Sequence, residues 1–293
     1  MGIMRFNYRS EIIGMTTNVT ICYPTGMLTM RDKPRERVVE AGGVSLPPEP
    51  QKFKYVPGMK FQTIYFLHGG GDDDTTAYRF TSLERYAEEN QVLLVSPHVN
   101  NSMYVNTNYG FRYMDYITDE LPKVVRALFA SSDKPEDNFI MGFAMGGNGA
   151  LGIGLIHPEL YGGIVDLSGG IGLTVDRDVY REQMNSWGAG KMLANAMRGA
   201  DDFENTEHDL RYIAEKNLAE GKKVPPIYIG VGEYDFIQYR VKKDYLALKD
   251  LGYEVYYEEG KDLKHEWKYW DLYFKKALDE WLPLKRAPIY PGE

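Results

Sequence analysis

Residues 138–150 read NFIMGFAMGGNGA, and this stretch decides how the rest of the chain is interpreted. The apolar run from Phe139 to Phe143 predicts a buried strand. The glycines after it predict a tight turn, and a helix of small residues follows until His157-Pro158, where the proline ends it. A strand, a sharp glycine turn and a helix are the setting in which a G-x-S-x-G motif presents a nucleophilic serine. At the central position this sequence has Ala144.

Three interpretations of Ala144 are open at this point. The turn has no chemistry, or the chain is a natural pseudoenzyme, or a Ser→Ala change has removed the nucleophile from an otherwise intact site. The other residues of the chain decide between the first interpretation and the remaining two.

The composition predicts a soluble, cytoplasmic protein, with secretion after removal of a signal peptide as the alternative. With 293 residues, 43% of them hydrophobic, the chain can bury one large core as a single α/β domain, residues 1–293. A net charge of −8 argues against a nucleic-acid partner. Cys22 is the one cysteine, which excludes a disulfide within the chain and a thiolate metal cluster. No apolar run approaches the roughly 20 residues that span a membrane, and the first residues lack a secretory pattern.

Apolar runs alternate with segments of helical spacing along most of the chain. This alternation predicts an α/β fold, with a mostly parallel sheet covered by helices on both faces. Residues 31–60 resemble a surface connection or loose hairpin, and residues 171–222 predict a helical, lid-like insertion over the active crevice. Predicted strands cover 11–23, 61–67, 91–96, 139–143, 163–167, 226–231 and 253–258, and predicted helices cover 76–90, 113–129, 244–251 and 267–281.

Among five histidines, His265 is the candidate for a catalytic base. It lies in a short loop after the last predicted strand, from which its ring can reach the carboxyl edge of the sheet and the glycine turn. Of the other four, His68 is interpreted as a structural loop residue and His98 as a turn residue. His157 is interpreted as a helix-end residue and His208 as a solvated one.

The candidate carboxylate partner is Asp235, which follows the strand 226–231. Glu233 competes for the role, and Asp235 is preferred because its position past Gly232 suits a loop residue. An Asp at a strand end can also simply cap the next helix. Position 144, Asp235 and His265 nevertheless follow one another in the chain order of an α/β-hydrolase triad, which makes coincidence a poor explanation.

Backbone N–H groups that stabilise an oxyanion are predicted at two places. One is Met145, the residue after the nucleophile position. The other is the glycine loop after His68, where Gly70 is preferred and Gly69 is the alternative, because glycine lets the backbone approach a substrate closely.

These motifs resemble the esterase D / tributyrin esterase-like group, which includes the feruloyl and acetyl esterases of carbohydrate esterase family 1. The similarity runs from about Phe61 to Trp281. The motifs that carry it are Phe66-Leu67-His68-Gly69-Gly70, Gly142-Phe143-Ala144-Met145-Gly146-Gly147, Gly232-Glu233-Tyr234-Asp235 and Lys264-His265-Glu266-Trp267.

The resemblance implies an α/β-hydrolase fold and an acylated serine at position 144. It implies that His265 is the general base and acid, that Asp235 orients it, and that no metal or organic cofactor is needed. Ala144 departs from the family pattern and puts activity in question, while the segments 31–60 and 171–222 leave the substrate open.

Aromatic residues near the predicted edge suggest a substrate pocket, with ordinary core packing as the alternative. A feruloyl ester of a plant polysaccharide is the favoured small-molecule or oligosaccharide substrate, slightly ahead of a short-acyl or acetylated-sugar ester. An inactive, engineered Ser→Ala form of an esterase is favoured over a ligand-binding pseudoenzyme and an acyltransferase, which both stay open, as does a homo-oligomer. The pocket candidates are Tyr109, Tyr113, Phe143, Trp187, Tyr234 and Phe236, with the backbone of Gly69 beside them.

Overall fold

The computed structural model describes residues 1–26, 53–170 and 205–292. The strands in these ranges are β1 (Gly2–Arg9), β2 (Thr16–Tyr23), β3 (Thr63–Leu67), β4 (Leu93–Pro97), β5 (Asn138–Phe143), β6 (Gly163–Leu167), β7 (Ile227–Gly232) and β8 (Val255–Gly260). They form one sheet in the order β1-β2-β4-β3-β5-β6-β7-β8. β2 pairs antiparallel with β1 and β4, and all the other pairs are parallel. The predicted mostly parallel sheet is confirmed.

The described helices are α1 (Thr76–Phe80), α2 (Leu83–Asn90), α3 (Tyr113–Asp115), α4 (Leu121–Leu128), α5 (Met145–Ile156), α6 (Leu210–Ala219), α7 (Gln238–Asp250) and α8 (Trp267–Lys276). A π-helical turn, Tyr116–Glu120, joins α3 to α4, and another, Ala277–Trp281, continues α8. None of these helices is long and apolar enough to cross a membrane.

Three element predictions needed correction. The helix predicted over 76–90 is two helices, because the hydroxyl of Thr81 donates to the Ala77 carbonyl and the chain turns before α2. The helix predicted to begin at Asp244 begins at Gln238. β1 was missed because it is an edge strand whose apolar side chains stay in water: Ile3 is 52% exposed and Met4 is 44% exposed.

The sheet separates two cores because successive side chains of a strand point to opposite faces. On β3, Tyr65 and Leu67 join one core, which α4, α5 and α7 cover. Ile64 and Phe66 join the other core, which α2 and α8 cover. The predicted insertion 171–222 is described only from residue 205 onward, and residues 27–52 of the segment between β2 and β3 lie outside the described residues as well.

This arrangement brings the carboxyl ends of β3, β5, β7 and β8 to one edge of the sheet. The insertion's described helix, α6, packs beside α5, where the Asn217 side chain donates to the Leu155 carbonyl at 2.6 Å. The loops that follow these four strands carry the predicted nucleophile position, the predicted base, its carboxylate partner and the predicted oxyanion donors.

The close packing of α5 on β3 gives a first prediction. A Cβ at Gly146 would lie 2.1 Å from the Leu67 carbonyl oxygen, so Gly146→Ala should lower the free energy of unfolding by about 3 kcal/mol or more. Gly152→Ala in the same helix is the matched control, since its Cβ would meet only Leu210 at 3.6 Å. It should be neutral or gain up to about 1 kcal/mol of helix propensity. Urea titration measures both, and equal effects of the two substitutions would contradict this packing.

Candidate active site

Ala144 occupies a strained turn between β5 and α5. Its backbone has φ 50° and ψ −119°, a conformation that a residue with a Cβ rarely adopts. Such strain costs about 1–3 kcal/mol and persists only where the surroundings fix the backbone. Here the Ala144 N–H donates to the Leu167 carbonyl at 2.8 Å, and its carbonyl accepts from the Asn148 N–H at 3.2 Å. This is the geometry of a nucleophile elbow, with a methyl group where the nucleophile stands.

Two glycines make the elbow possible. A Cβ at Gly142 would lie 2.2 Å from the Gly146 carbonyl oxygen, and a Cβ at Gly146 would meet the Leu67 carbonyl. The backbones of β5, α5 and β3 are therefore in direct contact at these two positions. Position 144 already carries a Cβ, so the same backbone accepts serine without a new contact at that atom.

The structure brings Asp235 and His265 together. The Nδ1 atom of His265 lies 2.9 Å from Oδ2 and 3.1 Å from Oδ1 of Asp235. The Asp235 side chain is fully buried, while that of His265 is 22% exposed. A carboxylate at Nδ1 holds the proton on that nitrogen and leaves Nε2 as the basic atom of the ring. Glu233, the competing carboxylate, is exposed and accepts the Asp262 N–H at 2.9 Å instead.

Trp270 links His265 to the elbow. Its ring centroid lies 4.9 Å from that of His265 and 4.8 Å from that of Phe143, the residue before Ala144. Trp270 therefore contacts both the candidate base and the residue that precedes the candidate nucleophile position.

The glycine loop after β3 is held by His68. The ring Nε2 accepts the Val99 N–H at 3.2 Å, and the ring Nδ1 lies 2.8 Å from the Gly69 carbonyl oxygen. The backbone carbonyl of His68 accepts the Tyr104 hydroxyl at 2.9 Å. Burial lowers the pKa of His68 to about 4, so the ring is neutral at pH 7 and Nδ1 carries its proton. The structural role predicted for His68 agrees with these contacts.

The loop leaves amide groups available at the edge. The Gly71 N–H donates to the Asn101 side chain at 2.7 Å. Within the described part of the chain, the amides of Gly70 and Met145 donate no hydrogen bond. They are the preferred pair of predicted oxyanion donors, and the amide of Gly69, the predicted alternative, donates none in this part of the chain either.

Asp166, a buried carboxyl group beneath the elbow, was not anticipated. It lies on β6, is 1% exposed, and accepts the Gly169 N–H at 2.8 Å. Burial, with a smaller contribution from the negative charge of Asp244, raises its pKa to about 8, so it is mostly protonated at pH 7. An acidic residue inside the apolar strand 163–167 was the signal that could have found it.

The aromatic candidates divide into two groups. Phe143 is 1% exposed and Tyr113 is 3% exposed, so both rings pack in the interior and the core-packing alternative describes them better. Tyr109, Tyr234 and Phe236 are 57%, 61% and 82% exposed. Trp187 lies outside the described residues.

The expectation that His208 is solvated is wrong. It is 8% exposed, because the chain that leads into α6 packs against α5.

The neutral state of His68 predicts a pH dependence of stability. The unfolded chain binds a proton at this ring below pH 6.5 and the folded chain does so only below about pH 4, so stability is lost as the pH falls between these values. The loss attributable to His68 should reach about 3 kcal/mol. His68→Gln should flatten the pH dependence of the unfolding free energy in this window, measured by urea titration. His157→Gln, the control on a partly exposed ring, should retain the slope; equal slopes in all three proteins would contradict this assignment.

Comparison with known proteins identifies relatives of this architecture. A family model described as putative esterase matches residues 43–280. An acetyl esterase of Caldicellulosiruptor saccharolyticus is 24% identical over 283 residues, which cover 96% of this chain and 98% of that protein.

Two solved structures from Staphylococcus aureus share the fold. FphF, a fluorophosphonate-binding serine hydrolase with bound substrate, is 28% identical with a TM-score of 0.74, and the alignment covers 94% of this chain and 96% of that chain. S-formylglutathione hydrolase (FrmB) is 28% identical with a TM-score of 0.71, and 94% and 97% of the two chains are covered. The chain therefore belongs to the putative esterase family of α/β-hydrolase fold, whose members are hydrolases that act on esters.

Proposed function

We propose that this chain carries a serine-esterase site that is complete except for its nucleophile, and that serine at position 144 makes it hydrolyse short acyl esters of carbohydrates. The observation that carries the proposal is the hydrogen bond between buried Asp235 and His265, at the same sheet edge as a strained elbow at position 144. A buried carboxylate on one nitrogen of a partly exposed imidazole is the arrangement that orients a general base.

The proposed reaction follows the serine-hydrolase sequence. The serine hydroxyl attacks the ester carbonyl while Nε2 of His265 takes its proton, and Asp235 stabilises the resulting imidazolium. The amide N–H groups of Gly70 and Met145 donate to the oxyanion of the tetrahedral intermediate. His265 then gives its proton to the leaving alcohol oxygen. In the second step His265 takes a proton from water as the water oxygen attacks the acyl carbonyl, the acyl–serine bond breaks, and the serine oxygen regains the proton as the acid leaves.

Two observations favour a short acyl group over the feruloyl group that the sequence analysis preferred. The relatives include an acetyl esterase and an S-formylglutathione hydrolase, whose names both specify small acyl groups. In addition, Phe143 and Tyr113 are buried, which removes two of the rings expected to line a pocket for a phenolic acid.

Feruloyl ester hydrolysis stays the second candidate. The exposed rings of Tyr109, Tyr234 and Phe236 favour it, because a phenolic acyl group can stack on an aromatic side chain. A pseudoenzyme and an acyltransferase are the remaining alternatives, and each predicts a different outcome when serine is introduced.

Hydrolysis by the Ala144→Ser variant tests the proposal. Without the hydroxyl we expect turnover to be lower by about 10⁴–10⁶-fold, the size of nucleophile deletions in a serine protease. The variant should therefore gain several orders of magnitude on p-nitrophenyl acetate, with p-nitrophenyl butyrate and methyl ferulate ranking the acyl preference. A faster transfer of the acyl group to added xylose than to water would indicate an acyltransferase.

The controls are Ala144→Ser combined with His265→Gln or with Asp235→Asn. The second combination should lose about 10⁴-fold in kcat, as expected when the base loses its orienting carboxylate. If Ala144→Ser stays folded and shows no turnover on any of the three esters, the proposed hydrolysis is wrong and a ligand-binding role replaces it.

A further inference from the structure

Exposed aromatic residues lie on either side of Asp235 and in the first turn of α7. Tyr234, Phe236 and Tyr239 are 61%, 82% and 67% exposed, whereas Asp235 and Ile237 between them are buried. The alternation is fixed by hydrogen bonds: the Tyr234 N–H donates to the Leu263 carbonyl at 2.9 Å, and the Ile237 N–H donates to Asp235 Oδ1 at 3.0 Å. Single exposed rings are ordinary, but three within six residues beside a candidate base are unusual.

Phe236 lies directly against His265. The two ring centroids are 4.7 Å apart with an interplanar angle of 50°. Trp270 contacts the imidazole edge-on at 4.9 Å from the buried side. His265 therefore contacts one buried ring, Trp270, and one exposed ring, Phe236.

The chemistry of ester hydrolysis determines which half of a substrate lies beside His265 and Phe236. The general acid must reach the leaving oxygen within about 2.6–3.2 Å to protonate it, so the alcohol half has to lie next to the imidazole. Of the two rings that contact the imidazole, Phe236 is the exposed one, so it is the ring that an alcohol extending toward water can reach.

We propose that Phe236 forms the subsite for the alcohol half of the substrate, and that this half is a neutral sugar ring stacked on its exposed face. This inference rests on the proposed esterase function. The electron-rich face of an aromatic ring attracts the C–H groups that cover one face of a pyranose, and such contacts favour a flat, extended alcohol over a small one. Because Phe236 is 82% exposed, its side chain contributes little hydrophobic free energy to folding. A bound ligand would supply the apolar contact that this ring lacks in the free protein.

Binding to the chain as it exists gives the first test. Ala144 lets an ester remain intact, so calorimetric titration with acetylated xylotriose measures affinity without turnover. Phe236→Ala should weaken binding by about tenfold, the size of one aromatic stacking contact. Phe236→Trp should retain the affinity. Tyr239→Ala is the matched control, because this ring is also well exposed and its contact is with Lys243, so it should leave the affinity unchanged.

Turnover gives the second test in the Ala144→Ser background. Phe236→Ala should lower kcat/KM for acetylated xylotriose, relative to ethyl acetate, by about tenfold, mainly through KM. If Phe236→Ala changes neither affinity nor this ratio, or if it weakens methyl ferulate and spares acetylated xylotriose, the alcohol subsite is not at Phe236. A silent Ala144→Ser variant would refute the hydrolysis, while the titration would still decide whether Phe236 binds the sugar.

Discussion

The candidate site depends on how closely the backbone of α5 approaches β3 and β5. At Gly142 and Gly146 the backbone of α5 touches that of β5 and β3 with no side chain between them. This close contact requires the tight turn in which residue 144 has a positive φ. A Cβ at Gly146 would also lie 2.6 Å from the His68 carbonyl oxygen, so α5 begins beside the glycine loop that follows His68. A larger residue at either glycine would separate the helix from the strands and move both the nucleophile position and the oxyanion donors.

Burial sets the protonation of the groups that support this edge. His68 is held neutral and so acts as both donor and acceptor for the loop, while Asp166 is held mostly protonated under the elbow. Asp235 and His265 are different, because their direct bond lets a buried carboxylate face a ring that still reaches solvent.

Much of this arrangement could be predicted from the sequence. The strands of the parallel sheet are continuous apolar runs, and parallel topology brings their carboxyl ends to one edge. Ala144, Asp235 and His265 could therefore be assigned to neighbouring loops from their positions after these runs. The spacing of the glycines around Ala144 predicted the elbow.

Burial could not be predicted so well. Tyr113 and His208 stand beside polar residues in the sequence, yet segments distant in the chain cover them. Edge strand β1 lacked an apolar pattern because neither of its faces is fully buried. The burial of Asp166 could not be predicted because its surroundings, beside Asp244 and under α5, are formed by three separate elements.

The central claim is that Asp235, His265 and the elbow still form an activating environment for a hydroxyl at position 144. Intact-mass measurement after exposure to a fluorophosphonate ester tests it most directly, since such reagents phosphonylate a serine only when a neighbouring base activates it. We expect the Ala144→Ser variant to gain one adduct, mapped to position 144, and to lose it when His265→Gln is added. A folded Ala144→Ser protein that stays unlabelled would contradict the account.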